Sequence, residues 1–370
     1  MSFGLLKHFK SKTSSVHQTV QKRHIKHVVV GQDLGAILQL LAIKRNFPDD
    51  SVKLISSRIL TKKALIEQYE EGVSLLRSSE AVTEIYRKYH EAKLSPQTKD
   101  ALFYKDGKFH EFSGRAKSME LLPGENFFLS RGYRLETAGF FTADEWENLD
   151  QILNESLELR IFESIEKTIP TDLVNVAEWE LTFKDFTIVT AQNLYVSLSP
   201  RKFLNYLSHK EKLTPELIDT CSSAKIQAAL SVTWTLNKEL FSGTETLFVP
   251  QSMTHEWGHF IVEFESMNHK TNEQICHCLF LIHDEEPQTE DLASRIKLMK
   301  RVMERVFPGI EAAITRENIR FDEEMFVSGM KDDLIEQLGF DYPTLKFTGQ
   351  MSPMPTHFVN EKFIARTLLH

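Results

Sequence analysis

The run His27-Val28-Val29-Val30-Gly31 constrains this chain more than any other stretch. Four residues suited to a buried strand end at a glycine. After a short gap comes Gly35-Ala36-Ile37-Leu38-Gln39-Leu40-Leu41-Ala42-Ile43-Lys44, which reads as a helix stopped near Pro48. Ser51-Val52-Lys53-Leu54-Ile55-Ser56-Ser57 then resumes as a strand. Strand, tight glycine-containing turn, helix and strand in this order form the opening βαβ unit of a dinucleotide-binding fold.

At 370 residues the chain is long enough for two domains or one two-lobed α/β unit. Hydrophobic residues at 41% and charged residues at 26% are ordinary for a globular protein and argue against disorder over most of its length. The net charge of −8 gives no basis for a nucleic-acid partner. Residues 1–26 differ, carrying Lys7, Lys10, Lys12, Lys22, Arg23 and Lys26 and no acid. They read as a basic arm, dispensable for the core, in which Phe3, Leu6 and Phe9 could line one face of a short helix touching an anionic membrane. A solvated tail is the competing reading. With no secretory apolar core and no bilayer-length span, the expectation is a soluble, cytoplasmic protein. The cysteines Cys221, Cys276 and Cys278 are too few for a disulfide framework. Cys276 and Cys278 alternate in an apolar run and are expected as buried thiols, not metal ligands.

Further along, residues 60–100 read as mostly helical and Phe103–Phe112 as a hairpin turning at Asp106-Gly107. Strands are expected at Val174–Leu181, Thr187–Val189 and Leu194–Leu198, and an amphipathic helix over 289–307. One motif pulls towards another chemistry. Thr254-His255-Glu256-Trp257-Gly258-His259 contains HExxH, which on a helix would place two histidines on a zinc ion and Glu256 beside its water. The residues that follow, Phe260-Ile261-Val262-Glu263-Phe264-Glu265, alternate with period two and pair naturally with Ile275–Ile282 as a hairpin. A strand sends adjacent side chains to opposite faces, so the segment is expected to hold no metal. A zinc hydrolase stays as the remote alternative.

Taken together, these elements resemble the FAD-dependent amine oxidase and phytoene desaturase superfamily. Val28–Leu38 occupies the place of its glycine motif. Thr190–Pro200 is similar to its strand returning to the flavin sheet, Phe307-Pro308-Gly309 follows the amphipathic helix, and Leu345–Gln350 stands where a strand delivers Gly-Asp to the cofactor. The resemblance implies an α/β chain. A Rossmann-type FAD/NAD(P)-binding domain (27–60, 170–200 and 340–370) would be interleaved with a substrate-type α+β domain (61–169 and 201–339), closed by a helix at Phe358–Leu369. The cofactor-binding positions it implies are Gly31, Gln32, Asp33, Gly35, Ala36, Ser57, Arg58, Gly349 and Gln350.

Those positions depart from the pattern. If Gly35 is the last glycine of a G-x-G-x-x-G turn, Val30 and Gln32 fill the first two places; if Gly31 is the first, Asp33 and Ala36 fill the others. Asp33 would set a negative charge beside a diphosphate. No carboxylate stands at Ser57 to hold a ribose, and Gln350 replaces the terminal aspartate. The expectation is a pseudoenzyme: a vestigial cofactor site, no bound cofactor, unknown catalytic residues, and a scaffold that binds a partner protein or a small apolar ligand. An active FAD- or NAD(P)-dependent oxidoreductase is the alternative.

Overall fold

The computed structural model describes residues 22–69, 73, 77–78, 97–111, 121, 124–129, 132–134, 137–168, 179–210, 215–254, 258–282, 289–328 and 344–347. Most of the arm, His255, Glu256, Gly349, Gln350 and the expected closing helix lie outside these residues.

The βαβ unit is present. Strand β1 (Lys22–Gly31) leads into helix α1 (Leu34–Asn46) and strand β2 (Val52–Ser56), with β1 and β2 parallel in the register Val28↔Lys53 to Val30↔Ile55. β1 starts five residues inside the segment read as an arm. Lys22 to Ile25 pair with Ile188 to Ala191, and Ile25 is buried. The arm's last cations are tied down: Lys22 pairs with Glu180, Arg23 with Glu158 and Lys26 with Asp50.

The sheet runs in the order Leu157–Leu159, β2, β1, Ile188–Ser197, Trp179–Phe183, Phe162–Lys167. The Ile188–Ser197 strand, here the return strand, is one continuous ten-residue element where two short strands were expected. β1 runs parallel along one side of it. On its other side the lower half pairs antiparallel with Trp179–Phe183, and Leu194–Val196 pair parallel with Leu345–Phe347. Thr344 bridges the change of partner: its carbonyl accepts from the Leu194 N–H at 2.8 Å and its hydroxyl accepts from the Trp179 indole at 3.1 Å.

A second sheet runs Ile314–Ser328, Lys225–Leu236, Gln274–Ile282, Phe260–Phe264, Thr246–Val249, Ala101–Lys105, Lys108–Glu111. The expected hairpins are there. Asp106 and Gly107 both take positive φ, as a two-residue turn of this kind needs. Phe260–Phe264 pairs antiparallel with Gln274–Ile282 in the register Phe260↔Phe280 to Phe264↔Cys276. Cys276 and Cys278 lie in the core under the amphipathic helix Thr289–Val306, and burial pushes both thiols up. Of the 60–100 region, the described residues form α2 (Lys62–Tyr69) and short strands at Arg77–Ser78 and Gln97–Lys99, and most of the rest of the expected helical stretch lies outside the described residues.

The two sheets share a core. Every residue of α1 from Leu34 to Ile43 is buried. The helix packs between β1 and β2 on one side and Ala229, Phe248, Ile261, Leu279 and Leu281 of the second sheet on the other. Burying its six large aliphatic side chains contributes on the order of 10 kcal/mol.

Near the middle of β1, His27 is buried, its Nε2 lying 3.0 Å from Asp50 and its Nδ1 3.4 Å from the Tyr195 hydroxyl, with Phe47 stacked on the ring. Burial lowers the His27 pKa and outweighs the opposing pull of Asp50. A neutral ring suits this setting, donating from Nε2 to Asp50 and accepting the Tyr195 proton at Nδ1, and burial pushes Tyr195 up to about 12.

Ile25→Ala should cost about 2–4 kcal/mol in a denaturant melt, as expected for a truncated core aliphatic; no loss would mean that the first residues of β1 are not part of the core. His27 contributes stability in full above its ordinary value of 6.5, and that contribution declines as pH falls below it, because the unfolded ring takes the proton first. Asp50, lowered by its bonds to Lys26 and His27, acts only at more acid pH, around and below 3.8. Melting profiles from pH 7 to 5 should therefore be flatter in His27→Gln than in the wild type.

Candidate functional site

The ends of β1, β2 and the return strand converge at the N-terminus of α1, the crevice where open α/β sheets bind ligands. β1 ends at Gly31. A side-chain carbon there would meet the Ser197 Cβ at 2.7 Å and the Ala36 Cβ at 2.8 Å, so only glycine lets β1, the return strand and α1 approach this closely.

Asp33 is the N-cap of α1. Its Oδ1 accepts from the Ala36 N–H at 2.9 Å and from the Ser197 hydroxyl at 2.6 Å, and the side chain is almost wholly buried. The next amide, Leu34 N–H, donates to the Tyr69 hydroxyl of α2 at 3.2 Å. Burial, with the charge of Asp33 second, pushes that phenol far up, so it stays protonated.

Arg58 closes the turn from the side of β2. Its Nη2 donates to the Gln32 carbonyl at 2.8 Å and to the Gln68 Oε1 at 3.1 Å, while Ser57 donates to the Gln32 Oε1 at 3.0 Å. From the second sheet, Arg320 donates to the carbonyls of Glu67 and Gln68 at the end of α2 and holds Asp322 at 2.8 Å. The result is a cleft of about 200 Å³ lined by Gln32, Asp33, Arg58, Gln68, Lys202 and Asp322 among others, and its surface is mainly polar. That volume lies below the roughly 300–1,000 Å³ usual for a ligand of moderate size.

As folded here, the turn does not fit a diphosphate. Two of the amides that would meet it are engaged by Tyr69 and Asp33, and a carboxylate lies in the anion's place. No acid stands at the end of β2, where Ser56 bonds to Arg58 and Ser57 to Gln32.

Seven of the nine expected cofactor positions, Gly31, Gln32, Asp33, Gly35, Ala36, Ser57 and Arg58, gather around this one turn. Gly349 and Gln350 lie beyond the described residues, although the strand before them, Leu345–Phe347, pairs with the return strand. Ser197, Tyr69, Gln68 and Lys202 were not foreseen. Ser197 lies in the run that carried the resemblance, but nothing local marks its hydroxyl as a partner of Asp33, and Tyr69 is a single aromatic in a charged helix. Of the HExxH residues, His259 is described: it is buried, immediately precedes the Phe260–Phe264 strand, donates its backbone N–H to Glu125 at 2.8 Å, holds the other Glu125 oxygen 2.8 Å from Nδ1, and packs edge-on against Phe103 and Phe248.

No family model and no curated protein matches the sequence. Solved structures do. A protoporphyrinogen oxidase-like protein from Exiguobacterium sp. 255-15 is 11% identical over 95% of this chain and 98% of its own, with a TM-score of 0.61. A CLA-producing fatty acid isomerase from P. acnes is 12% identical over 93% and 98%, at 0.58. Putrescine oxidase is 9% identical over 94% and 98%, at 0.54. The chain shares their fold. It is α/β, with a Rossmann-type domain interleaved with a second domain, and the likeness covers nearly the whole of each chain. At these identities it carries the architecture and not the site. Among the described residues, no helix is long and apolar enough to cross a membrane.

The close approach at Gly31 generates a prediction. Gly31→Ala should destabilise the protein by about 1–3 kcal/mol, because the added methyl must push the return strand or α1 aside. A variant melting with the wild type would show that the contact is slack.

Proposed function

We propose that this chain is a cofactor-impaired, non-catalytic relative of flavin oxidoreductases whose scaffold serves to bind a partner protein or a small ligand. One observation carries the reading: the α1 N-terminus, which in a working dinucleotide site receives the diphosphate, is engaged by Asp33 and Tyr69 of the same chain. Two unit charges about 4 Å apart repel by about 4 kcal/mol at an effective dielectric near 20, enough to weaken diphosphate binding several hundred-fold. The polar lining of the adjoining cleft argues that an apolar ligand would be held elsewhere on the scaffold, which favours a protein partner. The basic residues before β1 offer a further contact for an anionic membrane.

A second reading has its own support. Two of the fold neighbours described above are named as oxidases, which favours an oxidoreductase that holds FAD or NAD(P) through a divergent turn. The two readings differ in colour. Protein purified without added flavin should show no visible absorption band, and FAD titration should show no saturable binding below about the millimolar level, given the repulsion at Asp33. A yellow preparation, or micromolar FAD binding, would establish the second reading in place of the first.

A further inference from the structure

The register of the turn decides how far this closed site is from an open one. β1 ends at Gly31 and α1 starts at Leu34, so a G-x-G-x-x-G/A pattern lies over Gly31, Asp33 and Ala36, and Gln32 falls at a variable place. Two of the three small positions already do their work. Gly31 has no room for a side-chain carbon, and the one it would first meet on the helix belongs to Ala36. Ala36, small enough for the third place, lets α1 pack against the strand. The single departure is Asp33, at the place where a bare backbone lets the pyrophosphate approach.

We infer that Asp33 is the charged side chain that closes a diphosphate cradle, its carboxylate standing in for the anion, while the neutral Tyr69 hydroxyl on the Leu34 N–H is a partner that a ligand oxygen can displace. Two of its contacts are those a phosphate oxygen would seek: a first-turn amide of α1, Ala36 N–H at 2.9 Å, and a strand-end hydroxyl, Ser197 at 2.6 Å. The surrogate is covalently part of the chain, so it competes with any free diphosphate at a very high local concentration. Its own charge adds repulsion to that competition. Asp33→Gly removes both and writes Gly-x-Gly-x-x-Ala over residues 31–36. The chemical class that should then bind is a diphosphate ester or pyrophosphate itself. A ribose-anchoring acid is still missing at the end of β2, so the gain should be clearest for ligands that engage through the diphosphate.

This inference rests on the reading that the wild type holds no nucleotide, and the two can fail separately. The experiment uses the full chain as wild type, Asp33→Gly and Asp33→Ser, titrated with inorganic pyrophosphate and with ADP by calorimetry and thermal shift. Serine keeps a capping oxygen without the charge and replaces glycine as the test if Asp33→Gly does not fold. In the absence of ligand both variants should melt below the wild type, since each loses the Ser197 contact. In its presence they should bind both ligands at least about ten-fold more tightly than the wild type and regain melting temperature. Folded variants that bind no tighter than the wild type overturn the inference and leave the non-catalytic reading standing. Micromolar FAD binding by the wild type overturns that reading itself, and the inference with it, because Asp33 would then not be closing the site.

Discussion

A helix with no polar face has to be covered on every side, and α1 is such a helix. The first sheet covers one side of it. The rest of its apolar cluster comes from Phe248, Ile261, Leu279 and Leu281 of the second sheet together with Leu65, Tyr69, Phe128, Phe140, Phe141, Leu149 and Leu153. This dictates why the two domains interleave and why the element order survives at about a tenth of the residues identical: the second sheet is the other wall of the first domain's core. It also fixes where the site lies. The buried helix presents its N-terminus at the tips of β1 and the return strand, and Arg320 pins the edge of the second sheet to the end of α2 beside it.

The βαβ opening was legible because it is local: an apolar run, a glycine, a buried helix and a second run within thirty-odd residues. The hairpins were legible for the same reason. What escaped the sequence depends on partners far along the chain. Lys22 and Arg23 looked like part of a solvated arm because the acids that accept them, Glu180 and Glu158, lie more than a hundred residues away. The return strand read as two pieces because Gln192-Asn193 breaks its apolar pattern, yet β1 pairs on both sides of Gln192 in one register, Ile25↔Ala191 and His27↔Asn193. At the site, Asp33 was recognised as a misfit for a phosphate. Its positive role was hidden, because Ser197 is 164 residues distant and a serine at a strand end has no signature of its own.

The turn at Asp33 satisfies its own helix end from within the chain. A helix N-terminus left without a partner is costly, and a protein that relies on a bound ligand to satisfy it is stable only while that ligand is present. Here a cap from within the chain meets the same need at every ligand concentration. The glycine packing beneath, which serves the contact of strand and helix, is kept because the core requires it whether or not anything binds above.

The division of the return strand between two neighbours carries a consequence for assembly. Its upper edge at Leu194–Val196 is completed by a segment about 150 residues later. During synthesis on the ribosome, everything needed to build β1, α1, β2 and the return strand emerges long before Leu345. For that interval three apolar residues present open amide and carbonyl groups, the kind of edge that invites pairing with another chain. The late strand is thus the cover for the last open stretch of the first domain's sheet, and it is the last of these strands to be made.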